Sequence, residues 1–312
     1  MADLRSIFGG LAFAFALGIS APASSQPQFD PSNADHDNFV QGNILFLAYH
    51  EAGHLILDQI LNVDQRRDRL ASELYADDIA TWLMLPDPDE QDQDEEILAA
   101  MEGWLQSADL HNASAPTQSP HYPDDSERAA RIACLVYGSN PRLYGELREI
   151  FPEAIASVDC RAEVEALHVD FEDWFGEHLI PPAAADGGAI HVRHEPADAS
   201  MRRARDYLIE TRMLDDLAED LSQFVRLPND VSLVARSCGA GAAEFRYNPS
   251  TRQITACYEA VDWLMDNASA ELSERPPRPD AIAQAGAANE ASDDDIGSGG
   301  ARVTRRPRPR PR

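Results

Sequence analysis

Residues 42–61 of the chain read GNILFLAYHEAGHLILDQIL. They are apolar nearly all round, a pattern typical of a helix buried in a domain core. Within them stand His50, Glu51 and His54. Residues four apart lie on one face of a helix, so the two imidazoles can reach one metal ion while Glu51 projects toward the same pocket. The alternative is a satisfied pair of core histidines, but polar groups in such a helix are costly without a partner, and a metal supplies one.

Glu73 is the best candidate for a third ligand, which a catalytic zinc ion needs besides two histidines. Apolar residues recur near helical spacing around it, so residues 65–85 predict a second helix that ends before Pro86. Asp77 follows one turn later on the same face. It could accept the free ring N–H of a ligating histidine and fix its tautomer. The alternative for both acids is an ordinary solvated helix face.

The predicted chemistry follows from these ligands. One Zn²⁺ per chain, held by two imidazoles and a carboxylate, would polarise a carbonyl and lower the pKa of water, with Glu51 as general base. A tetrahedral oxyanion also needs a donor, and residues 121–128 offer a His, a Tyr and an Arg. We select His121 as this second catalytic residue. The alternative is that the segment is a helix entry capped by Asp124 or Ser126.

The sequence resembles the bacterial secreted metallopeptidases of the gluzincin type, whose members carry a His-Glu-x-Gly-His helix and a Glu-x-x-Ala-Asp helix. The matching stretches are 46–57, 73–85, 121–141 and 227–259. The resemblance implies that His50, His54 and Glu73 bind zinc and that Glu51 is catalytic. In those proteins a Cys-Tyr-Glu segment precedes the zinc helix, whereas Cys257–Glu259 follows it here, so the resemblance implies a permuted order of segments.

Three regions of the chain are predicted. Residues 1–25 have the basic start, the apolar run and the small residues of a secretory signal peptide. Residues 26–273 would form the metallopeptidase domain, with a subdivision near 181–195. Residues 274–312, rich in Pro, Ala, Gly, Ser and Asp and ending in an Arg-Pro repeat, cannot bury enough surface to fold. The predicted location is therefore secreted or periplasmic, and no segment is apolar enough to span a membrane.

The 4 cysteines suit an oxidising compartment. Their positions form two local couples, and we predict the disulfides Cys134–Cys160 and Cys238–Cys257, although four cysteines permit three pairings. A cysteine-ligated structural zinc is disfavoured, because the sequence contains no Cys-x-x-Cys.

The formal net charge of −28 argues against two kinds of partner, nucleic acid and anionic lipid. Because six of the arginines lie after residue 301, the rest of the chain is still more acidic. Such a field repels nucleic acid and anionic lipid, so neither is expected to bind the folded domain. The acidic surface could favour cationic substrates, or it could serve solubility alone.

The predicted fold class is α+β: a mainly helical, zincin-like domain with a small antiparallel β-meander. Residues 231–238 and 244–257 alternate as strands do, around a turn at 248–250. Helices are predicted at 97–105, 127–136, 140–150, 152–158, 161–179, 196–221 and 261–272. In a gluzincin such a sheet packs on the zinc helix, and its edge strand can pair with an extended substrate.

These observations favour a zinc-dependent peptidase or amide hydrolase with a peptide or protein substrate. One alternative is an inactive relative that keeps zinc for structure or binds peptides. A structural site has no need of a general base, so Glu51 favours the enzyme. A secreted binding module that uses its acidic surface without a metal is the other alternative. The oligomeric state is not encoded in any motif of the sequence.

Overall fold

The computed structural model describes residues 34–61, 69–85, 95–114, 124–176, 178, 187–239 and 244–274 of the 312-residue chain. The predicted signal peptide, the tail beyond residue 274 and His121 lie outside these residues. The described helices are α1 (Ala34–Gln59), α2 (Arg69–Met84), α3 (Glu95–Ser114), α4 (Asp125–Ser139), α5 (Leu147–Ile150), α6 (Pro152–Ser157), α7 (Cys160–Phe175), α8 (Arg202–Thr211), α9 (Met213–Phe224) and α10 (Tyr258–Glu274). The strands are β1 (Ile190–His194), β2 (Val231–Arg236), β3 (Phe245–Asn248) and β4 (Gln253–Cys257).

Helix α1 forms the centre of the fold. It packs against α2, α3, α9 and α10, and against strands β3 and β4. This environment explains why its sequence is apolar nearly all round: Ile44, Ala52 and Ile56 are each fully buried. Neighbours on all sides leave few solvated faces, so the helix has no single apolar stripe. Among the described residues, no helix combines the length and the apolar character needed to cross a bilayer.

The sheet is mixed, with strand order β1-β2-β4-β3. Strands β1, β2 and β4 run parallel, and only β3 and β4 pair antiparallel. The predicted antiparallel meander is therefore wrong in its topology, although both of its segments are strands. β4 lies between β2 and β3. The chain after β2 therefore forms the edge strand β3 first and then turns back as β4, which pairs with both β2 and β3. Strand β1 lies in the region where the sequence predicts only a subdivision, near 181–195, and it was not predicted as a strand.

Other predicted elements differ from the observed ones in their bounds. The helix predicted over 196–221 is two helices, broken at Arg212, whose φ of 57° lies in the left-handed region. No glycine or proline marks that break in the sequence. Helix α1 begins earlier than predicted, and α3 continues to Ser114, beyond the predicted end at residue 105.

Both predicted disulfides are confirmed. Cys134–Cys160 joins α4 to α7, and Cys238–Cys257 joins the chain after β2 to the end of β4. Gly138 allows the first pair of helices to meet, because a Cβ there would lie 2.1 Å from the carbonyl oxygen of Cys160. The disulfide and this close approach together fix α4 against α7.

Candidate metal centre

Three donor atoms from helices α1 and α2 converge at one point. Nε2 of His50 and Nε2 of His54 lie 3.2 Å apart. Oε2 of Glu73 lies 3.2 Å from the first nitrogen and 3.5 Å from the second. Within the described part of the chain, these residues form the one group of histidine, cysteine and carboxylate side chains placed to hold a metal ion. The structure thus brings together the three residues that the sequence predicts as ligands.

A close contact between the two helices makes this convergence possible. Gly53 lies between the two histidines on α1, and Ala76 lies between Glu73 and Asp77 on α2. A Cβ on Gly53 would stand 2.9 Å from Cα and 3.0 Å from the carbonyl oxygen of Ala76. Only glycine lets the backbones approach this closely. The glycine of the His-Glu-Ala-Gly-His motif therefore sets the distance between the ligand-bearing helices.

Asp77 orients His50 from behind. Its Oδ1 lies 2.8 Å from Nδ1 of His50, so the ring donates Nδ1–H and keeps the Nε2 lone pair for the ligand cluster. The second histidine has a weaker support, since the Ser72 hydroxyl lies 3.4 Å from Nδ1 of His54. Asp77 thus contacts His50 on the side of the ring away from Nε2, and its role in fixing the tautomer stays a prediction.

The contacts within the cluster shift the pKa values of His50, Glu73 and Asp77. Burial opposes a charged His50 ring, but the hydrogen bonds and charges of Asp77 and Glu73 outweigh it and raise the pKa of His50 to about 9. Burial also opposes charge on Glu73, yet its contacts with both histidines hold its pKa well below the usual range. For Asp77, burial is opposed chiefly by the charge of Arg128, and the pKa is lowered. The metal-free cluster therefore favours carboxylates that are ionised and a proton on His50.

Glu51 sits beside the sheet edge formed by β3. Its Oε2 accepts a hydrogen bond of 2.5 Å from the backbone N–H of Tyr247, whose hydroxyl donates to Oδ2 of Asp58 at 2.8 Å. Glu51 and Asp58 both belong to α1, so Tyr247 ties β3 to this helix at two points. Burial raises the pKa of Glu51, although the nearby histidine charges and the Tyr247 N–H oppose the rise.

The segment predicted to donate to an oxyanion has a different role where it is described. Asp124 caps α4 by accepting from the backbone N–H of Ser126, as the alternative interpretation expected. Arg128 is buried and donates to Asp77, so its guanidinium is already committed. His121 lies outside the described residues, and its assignment stays a prediction.

Sequence reasoning missed the contacts made by Tyr247 and by Arg128. The Tyr247 contact forms because β3 packs against α1. The alternating pattern of the hairpin does not indicate which of its strands contacts that helix. For Arg128 the sequence held a weak signal. Arg128 and Arg131 lie one turn apart on α4, and α2 carries two consecutive acids, Asp77 and Asp78, with which they could pair. The sequence does not show that these helices face each other.

Comparison with known proteins gives one match. The model of a family described as "Putative metallopeptidase" matches residues 20–172 and 193–288, which is more than half of the chain. No curated protein and no solved structure matches. The family match covers every described residue of the cluster.

Proposed function

Because the chain belongs to this metallopeptidase family, we propose that it is a zinc-dependent peptidase with Glu51 as its general base. The single observation that carries the proposal is the convergence of His50, His54 and Glu73 at one point beside Glu51. The substrate class implied by the family is a peptide or protein.

The donor set fits zinc. Ligands bound at about 2.0–2.2 Å in a tetrahedron are separated from one another by about 3.4 Å. The three separations here are 3.2, 3.2 and 3.5 Å. Two imidazoles and one carboxylate are also a ligand set used by catalytic zinc sites, which keep a fourth position open. When bound, zinc would supply Lewis-acid chemistry by lowering the pKa of water and polarising a carbonyl.

The position of Glu51 supports a role in proton transfer. It follows His50 directly on α1, and its partly buried carboxylate contacts the backbone of β3. We propose that it accepts a proton from the attacking water and delivers that proton to the leaving amine. Burial supports this double role, because a carboxylate with a raised pKa holds an accepted proton more readily than a solvated one.

Strand β3 is proposed to align the substrate. It stands at one end of the strand order, and the Tyr247 N–H points away from β4 toward Glu51. An extended peptide pairing with this edge would therefore run beside the general base. The same N–H is occupied by Glu51, so substrate pairing there requires the carboxylate to turn toward the reacting water.

We also propose that the protein acts outside the cytoplasm. Disulfides persist in oxidising compartments, and the chain forms two. This supports the secreted or periplasmic location predicted from residues 1–25.

Metal content and one substitution test the function. Purified protein loaded with zinc and dialysed should retain about one zinc per chain, measured by elemental analysis. Glu51→Gln should keep the zinc but lose hydrolysis of a mixed peptide library, followed by mass spectrometry of new termini. Glu165→Gln, the same change at an exposed position on α7, serves as the matched control and should cleave like wild type.

Each negative outcome points to a different error. Wild-type protein that retains no zinc contradicts the metal site. Zinc retention without cleavage by wild type would favour the inactive, peptide-binding alternative. A Glu51→Gln variant that cleaves as fast as wild type would show that the general base is another residue.

A further inference from the structure

Arg128 makes the most enclosed polar contacts near the cluster. It reaches from α4 and is 8% exposed. Its Nε donates to Oδ2 of Asp77 at 2.7 Å, and its Nη2 donates to Oδ1 at 2.6 Å. The guanidinium carbon lies 3.7 Å from the ring centroid of Trp104 on α3, so an aromatic face covers the pair. This two-bond geometry is the strongest form of an arginine–carboxylate contact.

The two bonds leave Asp77 without rotational freedom. Oδ1 accepts from both Arg128 and Nδ1 of His50, while Oδ2 accepts from Arg128. Nη2 of Arg128 and Nδ1 of His50 lie 3.4 Å apart because two donors share one acceptor. Arginine has only donors and keeps its charge in proteins, so it cannot release Asp77 by losing a proton. Asp77 is thereby held as an acceptor for His50 and cannot turn toward the metal.

We propose that Arg128 is a positioning residue of the metal centre, acting through Asp77 to aim Nε2 of His50 at the metal. This inference rests on the proposed function, because it assumes that His50 is a metal ligand. The hydrogen bonds of Arg128 go to Asp77, and its guanidinium lies near Nδ1 of His50 and not at the Nε2 atom of the cluster. Its effect is on ligand orientation, and metal affinity reports that effect directly.

The chain contains a matched control for this contact. Arg131, one turn after Arg128 on α4, donates to both carboxylate oxygens of Asp78 at 2.6 and 2.7 Å. Asp78 is the neighbour of Asp77 on α2. Among the described residues, this second pair joins the same two helices without a hydrogen bond to a member of the ligand cluster. It differs in exposure, since the Arg131 side chain is 42% exposed.

The test compares Arg128→Gln with Arg131→Gln. Both variants are first shown to fold by circular dichroism, and zinc affinity is then measured by competition with a chromophoric chelator. Loss of the direct partner of a ligating histidine weakens metal binding about 10–100-fold, so we expect Arg128→Gln, which leaves Asp77 in place but no longer held, to weaken zinc binding by an amount at the lower end of this range. Arg131→Gln should bind zinc like wild type. Arg128→Lys keeps the charge but not the two-bond fork, so its affinity should be intermediate.

Two further measurements separate positioning from general support. The d–d spectrum of cobalt-substituted protein reports coordination geometry and should change in Arg128→Gln but not in Arg131→Gln. Because Arg128 acts through Asp77, adding Arg128→Gln to Asp77→Ala should cause no further loss of affinity. Additive losses would overturn the proposal. If Arg128→Gln does not fold, the lysine variant carries the same comparison.

The outcomes distinguish this inference from the proposed function. Wild-type protein that binds no zinc contradicts the proposed function itself. Wild-type protein that binds zinc while Arg128→Gln and Arg131→Gln bind it equally well overturns the role of Arg128 alone.

Discussion

Replacing Gly53 by alanine tests whether the contact between α1 and α2 sets the metal geometry. The added Cβ would stand 2.9 Å from Cα, 3.0 Å from the carbonyl oxygen and 3.2 Å from Cβ of Ala76. Two of these atoms are backbone, which cannot move aside as a side chain can. Carbon atoms pack at about 3.5–4.0 Å, so the helices must separate by roughly 0.6–1.1 Å.

The expected effects on stability and on metal binding differ in size. Overpacking costs about 1–3 kcal/mol, while alanine gains about 0.5–1 kcal/mol over glycine inside a helix. The free energy of unfolding should therefore fall by no more than about 2.5 kcal/mol. Metal–ligand distances tolerate only about 0.2 Å, which the helix separation exceeds several-fold. Because two ligands lie on α1 and one on α2, zinc binding should suffer more than folding.

The assay is zinc affinity of Gly53→Ala by chelator competition, with chemical denaturation measured in parallel. We expect affinity to fall on the order of tenfold or more. Gly42→Ala is the control on the same helix, because its Cβ would meet the Glu96 carbonyl oxygen at 2.1 Å, two turns before His50. That variant should lose stability, yet its folded fraction should bind zinc normally. Wild-type zinc affinity in Gly53→Ala would refute the idea that this contact fixes the ligands.

Two further predictions concern the sheet edge and the charge of the cluster. Tyr247→Phe removes the hydroxyl bonded to Asp58 but keeps the N–H bonded to Glu51. The free energy of unfolding should fall by about 1–3 kcal/mol. The variant should also have a lower kcat and an unchanged zinc affinity. Steady-state kinetics and denaturation check this, and an unchanged kcat would contradict a role for the β3 tether. In metal-free protein, the stabilisation from His50 is complete below its ordinary pKa of 6.5 and is lost as the pH rises through about 9. The pKa of Glu73 is lowered, so its stabilisation is present above the ordinary value of 4.5 and is lost as the pH falls. Denaturation of chelator-treated protein should show declining stability from about pH 7 to about pH 9, and a flat profile would count against the charged cluster.

The ligand cluster could be predicted from sequence because its geometry is mostly local. His50 and His54 share a face through helical periodicity alone, and Glu73 and Asp77 share another in the same way. Joining the two faces required only that the second helix lie nearby. The Gly53–Ala76 contact provides that proximity. Helical periodicity therefore predicts which residues of each helix share a face, and one contact between the helices brings the two faces together.

The sheet could not be predicted in the same way, because its order depends on distant pairings. Alternating residues indicated β2, β3 and β4, but a meander assumes that consecutive strands are neighbours. Here Leu233 on β2 pairs with Ile254 on β4 in parallel, which leaves β3 at the edge. Strand β1 is five residues long and pairs only with β2, so its formation depends on a partner far along the chain. The break at Arg212 could not be predicted either, since no glycine or proline stands there.

The charges around the cluster explain why it should select a divalent cation. The pKa values of Glu73 and Asp77 are lowered, and Arg128 offsets the charge of Asp77, so the negative charge of Glu73 faces the two histidines. In the metal-free protein the contacts with Asp77 and Glu73 outweigh burial and raise the pKa of His50 to about 9, which favours a proton on its ring. Zinc must displace that proton to bind Nε2, because a ligating imidazole is neutral. Without Arg128 the centre would be more negative, but Asp77 would be free to turn. Arg128 therefore lowers the electrostatic attraction of the centre for a cation but keeps His50 in a fixed orientation. The comparison of Arg128→Gln with Arg131→Gln measures which of these two effects on zinc affinity is larger.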